Sequence, residues 1–263
     1  MKLSVIQSLY TVNPWIPESV YLTMDALTST VKDFELILFN DHGDEKVKDL
    51  ISKFLLDKRV RYVYSEKNYG QKVCMGGWVG ALPYVSGDLI HAVGHDDIFT
   101  RAFYKKMVAE LENDPELMLV FNNCFVTSES LVTSGAMIHI RPMPEYYTHP
   151  FECFKWWFGV GENGKDEVTR ANNNIPGPGT IYRAILHKQI GEPDLDNYFG
   201  SADFEFWARV LFNKCKCKYL PDPMWLYRKS EHSISKENDV SRTLAWNEKI
   251  KAKYYKLYNE RKK

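Results

Sequence analysis

The chain has 263 residues, 44% hydrophobic and 14% aromatic, and its 34 Lys and Arg balance its 34 Asp and Glu. That size and apolar content suit one large domain with a substantial core. A net charge of zero excludes the basic footprint expected of a chain-wide nucleic-acid binder, and the lack of any run of 18 apolar residues excludes a membrane-spanning helix.

The N-terminal stretch "MKLSVIQSLY" is too short and too β-like for a signal peptide. Leu3 to Leu9 reads as a buried strand, and "NPWIPESVYLTMDALTSTV" as a helix with Pro17 near its start. "FELILFND", Phe34 to Asp41, is a second strand, and "DEKVKDLISKFLL" an amphipathic helix. "VRYVYS", Val60 to Ser65, is a third strand, "YGQKVCMGGWVGALPYV" a glycine-containing helix, and "DLIHAV" a fourth strand. This alternation predicts an α/β fold with a mostly parallel central sheet and helices on both faces. Ligands of such sheets bind at the carboxyl ends of the strands. Asn40, Asp41, Asn68, Asp96 and Asp97 all fall at or just past those ends.

"RAFYKKMVAELEND" reads as a helix closed by Pro115, and "ELMLVFNN" and "LVTSGAMIHI" as strands. A long irregular section then runs from about Arg141 to Gly179, a length that in a compact domain usually carries function. "TIYRAILHKQIG", the helix "SADFEFWARVLF" and "CKCKYLPDPMWLYRKSEHSIS" follow. The five cysteines are odd in number with no CxxC, which suits reduced thiols in a cytoplasmic protein. Cys215 and Cys217 share one face at strand spacing, which favours packing over metal binding. The last segment, 241–263, is a basic amphipathic helix, leaving 1–240 as the main domain. Two expectations attach to that helix: packing on the domain, or peripheral contact with an anionic membrane face through Lys249, Lys251, Lys253 and Lys256.

Five short stretches carry chemistry, and each has a bland alternative. Asp96 and Asp97 in "VGHDDIF" suit Mg²⁺ or Mn²⁺, which take hard oxygen ligands, or they cap the following helix. Asp41 in "LFNDHGDE" can accept from a base N–H or a ribose hydroxyl, or it forms a turn. "EKNYGQK", with Asn68, Gly70 and Lys72, can approach a nucleotide or is an ordinary loop. Asp203 in "GSADFEFWARV" is placed as a general base or as a first-turn acid, with Ser201 available as the N-cap. In "WLYRKSEHSIS", Arg228 suits a phosphate and His232 a metal, or both lie on a solvated turn. The aromatics from Tyr146 to Phe158, Trp156 and Trp157 among them, suit a sugar face on the acceptor side, or a small aromatic core under the loop. Gly177 and Gly179 in "IPGPG" permit close backbone approach beside that loop.

Taken in order, these stretches resemble the family 2 glycosyltransferases of GT-A fold over roughly residues 2 to 235. "FELILFND" with "HGDE" looks like the family's "EIIVVDDGSTD", "EKNYGQK" like its "N-x-G", and "GDLIHAVGHDDIF" like its "GDYIAFLDSDD" with the metal-binding D-x-D. "SADFEFWARV" looks like its "ED-x-x-x-W", and "YRKSEHSIS" like its "YR-x-H-x-x-S-x-S". Gly94 stands where the first Asp of D-x-D would be, and Ala202 where the Glu of "ED" would be.

The resemblance implies an inverting transfer of a sugar from a nucleotide-diphosphate sugar, UDP-linked by preference, to a hydroxyl of a carbohydrate or lipid-linked glycan acceptor. The setting it implies is cytoplasmic polysaccharide, lipopolysaccharide or glycoconjugate synthesis. It implies Mn²⁺ or Mg²⁺ at Asp96, Asp97 and His232, and Asp203 as the base. Asp41, Asn68, Gly70, Lys72, Asp96 and Arg228 would hold the donor; Trp156, Trp157, Gly177 and Gly179 would lie on the acceptor side. A nucleotidyltransferase would need a basic, glycine-rich phosphate loop that "SLYTVNPW" lacks. A non-catalytic nucleotide- or carbohydrate-binding module is the other alternative, supported by Gly94 and Ala202.

Overall fold

A computed structural model of the chain describes residues 1–70, 74–128, 133–137, 177–195, 202–229 and 240–261. The first half alternates as expected: β1 (Leu3–Leu9), α1 (Ile16–Thr30), β2 (Phe34–Asn40), α2 (Val47–Ile51), β3 (Val60–Tyr64), α3 (Cys74–Ala81) and β4 (Leu89–Val93). Pro17 lies in the first turn of α1, where a missing N–H leaves no hydrogen bond unmade. Short 3₁₀ turns follow α2 and α3 at Ser52–Leu56 and Leu82–Tyr84. The second half contains β5 (Ile98–Phe99), α4 (Arg101–Asn113), β6 (Leu117–Thr127), β7 (Thr133–Met137), β8 (Thr180–Arg183), α5 (Ile185–Ile190), α6 (Ala202–Phe212), β9 (Lys216–Arg228) and α7 (Val240–Arg261). Thr100 caps α4, its hydroxyl accepting from the N–H of Phe103.

The sheet runs β3-β2-β1-β4-β8-β6-β9-β5, with β7 paired to β6. β3, β2, β1 and β4 are mutually parallel, so their carboxyl ends line one edge. Beyond β4 the directions mix: β8 is antiparallel to β4 and β6, and β9 is parallel to β6. β5 follows β4 closely in sequence yet pairs with β9 at the far end of the order, so the sheet curls back on itself.

Both faces of the sheet are buried, which is why its strands read as apolar runs. Leu3, Val5 and Leu9 point to the face covered by α1, α2 and α4, while Ile6 points to the face covered by α3, α5, α6 and α7. On the second face the small side chain of Ser8 admits α3: a Cβ on Gly77 would lie 2.5 Å from the Ser8 Oγ. β9 tolerates Pro221 and Pro223 because the β6–β9 register shifts between Asn122 and Cys124. The Asn122 side chain staples that irregularity, donating to the carbonyls of Leu220 and Asp222 and accepting from the N–H of Met224. Cys217 is buried and Cys215 half-buried against the same core, in line with packing.

The C-terminal helix α7 docks on α6, burying Ile250 and Tyr254. The tie is Glu205, 1% exposed, which accepts from the Tyr254 hydroxyl at 2.6 Å, Lys253 Nζ at 3.1 Å and Arg209 at 2.9 Å. Packing on the domain therefore describes this helix, and no helix among the described residues is long and apolar enough to cross a membrane.

Candidate active site

Three groups of side chains gather along the edge formed by the strand carboxyl ends. The first lies past β2 and β3. Asp41 is buried, and its Oδ1 accepts the N–H of Tyr69 at 2.9 Å. Asn68 Oδ1 accepts the N–H of Gly70, forming an Asx turn. The structure thus brings Asp41, Asn68 and Gly70 together. Burial pushes the Asp41 carboxyl up from its ordinary value, and the Tyr69 and Gly70 backbone donors pull it partly back. A Cβ on Gly76 would meet the Gly70 nitrogen at 2.5 Å and Asp41 Oδ2 at 3.0 Å, so this glycine lets α3 close on the turn. Asn40, fully buried at the end of β2, shapes the neighbouring loop by donating to the Asp44 carbonyl and Tyr62 hydroxyl and accepting the Gly43 N–H. Lys72 lies outside the described residues.

The second group is the turn after β4. Gln7 of β1 donates to the Gly94 carbonyl and to Ser19 Oγ, and Ser19 in turn donates to the Asp97 carbonyl. His95 contacts the Ser8 carbonyl at 3.2 Å and Asn13 at 3.4 Å. The carboxylates of Asp96 and Asp97 converge over Gly94: a Cβ there would lie 2.8 Å from Asp96 Oδ1 and 3.3 Å from Asp97 Oδ2. Asp97 is 2% exposed, and burial with the adjacent Asp96 charge drives its carboxyl well above the ordinary range. One of its oxygens, Oδ1, is buried with no hydrogen-bond donor among the described residues.

Two converging hard carboxylates with an unmatched oxygen fit a small divalent cation, which commonly takes one or two protein carboxylates and leaves its other positions to phosphate and water. Among the described residues no group of three His, Cys, Asp or Glu gathers, and His232 lies outside them. Arg228, at the end of β9, is 1% exposed. Its Nε donates to the Asp96 carbonyl at 3.1 Å, its guanidinium pairs with Glu18 at 2.5 Å and lies 4.3 Å from the Trp15 ring centroid. Its contacts therefore run to the Asp96–Asp97 turn and to α1.

The third group is the start of α6. Asp203 lies in the first turn, half-buried, its Oδ1 accepting the N–H of Phe204 at 2.7 Å. A Cβ on Gly177 would sit 3.8 Å from Asp203 Oδ2, so the turn before β8 faces this carboxylate. The close approach at Gly179 is to the protein itself: a Cβ would meet Trp225 Nε1 at 2.7 Å and the Asn122 carbonyl at 2.8 Å. Trp156, Trp157 and Ser201 lie outside the described residues. Ala202 is fully buried.

The sequence motifs pass over Gln7 and His91, which bond to the carbonyls of Gly94 and Pro178. Their signal was present: a polar side chain inside an apolar strand run must find a partner once buried. Trp78 also went unread. It stacks on Trp207 of α6 at 5.7 Å and donates to the Tyr182 hydroxyl, linking α3 beside the first group to the helix that opens with Asp203.

A sequence profile for glycosyl transferase family 2 matches residues 4–190. Protein CgeD of Bacillus subtilis (strain 168) is 23% identical over 219 residues, 80% of this chain and 46% of its own length. The chain therefore spans about half the length of that relative. Among solved structures, residues 1–349 of S. aureus TarS in complex with UDP-GlcNAc match with a TM-score of 0.58 at 17% identity, over 91% of this chain and 62% of that one. The mannosyltransferase PcManGT from Pyrobaculum calidifontis, in complex with GDP-Man and Mn²⁺, matches with a TM-score of 0.60 at 13% identity, over 89% and 59%. At these identities the two structures establish the fold, which is GT-A.

Proposed function

The chain belongs to glycosyl transferase family 2, and from that premise we propose that it moves a sugar from a nucleoside-diphosphate sugar to an acceptor hydroxyl with inversion. The single observation that carries this reading is the shared edge: the Asp41–Asn68 turn, the Asp96–Asp97 turn and Asp203 all face the carboxyl end of one sheet. The two matched structures were solved with UDP-GlcNAc and with GDP-Man, which supports a nucleotide-sugar donor. A uridine donor is the reading favoured here.

In this mechanism the Asp41 carboxylate and the Asn68–Gly70 turn receive the base and ribose. Asp96, with Asp97 beside it, would hold Mn²⁺ or Mg²⁺, which supplies positive charge against the growing charge of the leaving diphosphate. Arg228 adds a fixed positive charge beneath that turn and holds its backbone. Asp203 takes the proton of the acceptor hydroxyl as its oxygen bonds to the anomeric carbon and the bond to the diphosphate oxygen breaks. The face of Asp203 beside Gly177 is then the acceptor side. Trp156, Trp157 and His232 keep the roles given by the resemblance.

The test is a panel of UDP- and GDP-sugars read by thermal shift with and without Mn²⁺, followed by transfer assays on the stabilising donor. Asp203→Asn is expected to lower turnover by roughly 10²- to 10⁴-fold with donor binding unchanged. Asp96→Ala is expected to remove the metal-dependent part of donor binding. Donor binding without turnover on any acceptor would favour a binding module and overturn the enzymatic reading.

A further inference from the structure

His91 lies in the middle of β4, fully buried, on the face packed by α4. Its ring is boxed by Phe99 at 4.6 Å, Phe103 at 5.0 Å and Tyr104 at 5.4 Å. A histidine among three aromatics is an expensive choice for a space that phenylalanine would fill. Among the described residues its one polar contact is from Nε2 to the Pro178 carbonyl, at 2.7 Å. A carbonyl only accepts, so Nε2 carries the proton and Nδ1 is a bare acceptor, with no partner among the described residues. Burial keeps the ring neutral, its pKa down to about 3.

Pro178 is the centre of the Gly177–Gly179 turn. That turn is held from the other side too: the N–H of Asn122 donates to the Gly179 carbonyl at 2.9 Å, and Trp225 packs on Gly179. Trp225 stacks on Phe99, which closes the box around His91. One packed unit thus connects β4, whose end carries the Asp96–Asp97 turn, to the turn that faces Asp203.

We propose that His91 is a positioning residue: its Nε2–H bond to Pro178 fixes the Gly177–Gly179 turn against Asp203 and so sets the acceptor side relative to the Asp96–Asp97 turn. The catalytic consequence rests on the reading of Asp203 as the base; the positional claim does not. His91→Phe refills the aromatic box and removes only the donor, so it is the informative change. His91→Gln restores an N–H donor and is the rescue variant.

Two measurements on the full chain test this. In histidine-labelled NMR spectra at neutral pH, His91 is expected as the neutral Nε2–H tautomer. In His91→Phe the amide shifts are expected to change at Gly177, Gly179 and the start of α6, and to return toward the parent in His91→Gln. The other tautomer, or changes confined to α4, would overturn the proposal whether or not the enzyme turns over.

In transfer assays His91→Phe is expected to lower kcat roughly 10- to 100-fold, the scale of a small misplacement. Donor KM and UDP thermal shift should stay at the parent values, and His91→Gln should recover most of kcat. If Asp203→Asn abolishes transfer and His91→Phe leaves kcat unchanged, the positioning role fails and the base assignment stands. If Asp203→Asn leaves transfer intact, it is the base assignment that fails.

Discussion

The two halves of the sheet hold their site residues in different ways. On the proposed donor side, past β2 and β3, most contacts join residues two to four apart, Asn68 to Gly70 and Asn40 to Gly43 and Asp44, while Asp41 reaches Tyr69 in the adjacent loop. On the proposed acceptor side, the surroundings of Asp203 are held by partners far away in sequence. Trp78 packs on Trp207, Glu205 is tied to Lys253 and Tyr254, and the Gly177–Gly179 turn is pinned by His91, Asn122 and Trp225. Parallel strands in a βαβ series bring their own loops to one edge, so local turn chemistry is enough there. Where strand directions mix, only packing across the sheet can fix a loop. Changes on the donor side should therefore act locally, and changes on the acceptor side at a distance.

Four substitutions break or sharpen that contrast. The largest effect is expected for Gly43→Ala, because a Cβ there would lie 1.9 Å from the Tyr10 carbonyl oxygen, a backbone atom that cannot swing away. We expect a loss of about 3 kcal/mol in urea unfolding, the upper end for overpacking, together with loss of the UDP thermal shift. If binding survives at full strength, the loops past β1 and β2 do not shape the donor side.

Tyr254→Phe comes next. It removes the hydroxyl that Glu205 accepts at 2.6 Å while leaving Lys253 and Arg209 in place. A loss of about 2 kcal/mol is expected for a buried hydrogen bond to a charged acceptor. An unchanged unfolding midpoint would show that the Tyr254 hydroxyl does not help hold α7 on α6.

Asp41→Asn tests the donor side through pH. The Asp41 carboxyl is raised in the folded protein, so the fold binds its proton more tightly than the unfolded chain does. The stability this adds is fully present below the unfolded value of about 3.9 and is lost as pH rises through the folded value. Stability measured across mildly acidic pH should therefore fall less steeply with rising pH in Asp41→Asn than in the parent, while UDP binding weakens. Parallel curves would mean that burial does not govern this carboxyl.

The smallest effect is expected for Lys106→Met. Its pair with Asp222 spans 3.5 Å between side chains 54% and 78% exposed, and such a surface pair contributes no more than about 0.5 kcal/mol. A larger loss would mean that surface charges on α4 reach the core beneath them.

The sequence by itself determined the parallel half of the sheet. Apolar runs marked β1 to β4, turn residues marked their ends, and the ordered motifs matched a family whose profile covers residues 4–190. It also placed Asn40, Asp41, Asn68, Asp96 and Asp97 at or just past strand ends, which in a parallel series line one edge. Tertiary structure decided the rest. The mixed order β4-β8-β6-β9-β5 comes from pairings between strands far apart in sequence, which no local pattern records. The burial of Arg228 between Trp15, Glu18 and Asp96 joins the two ends of the chain, so its strand alone could not distinguish a phosphate ligand from a brace. His91 and Glu205 read as an ordinary strand residue and an ordinary first-turn acid until packing supplied Pro178 and α7 as their partners. The physical reason is the same in each case: a turn is specified by neighbours in the chain, whereas a buried polar side chain is specified by whatever the fold brings against it.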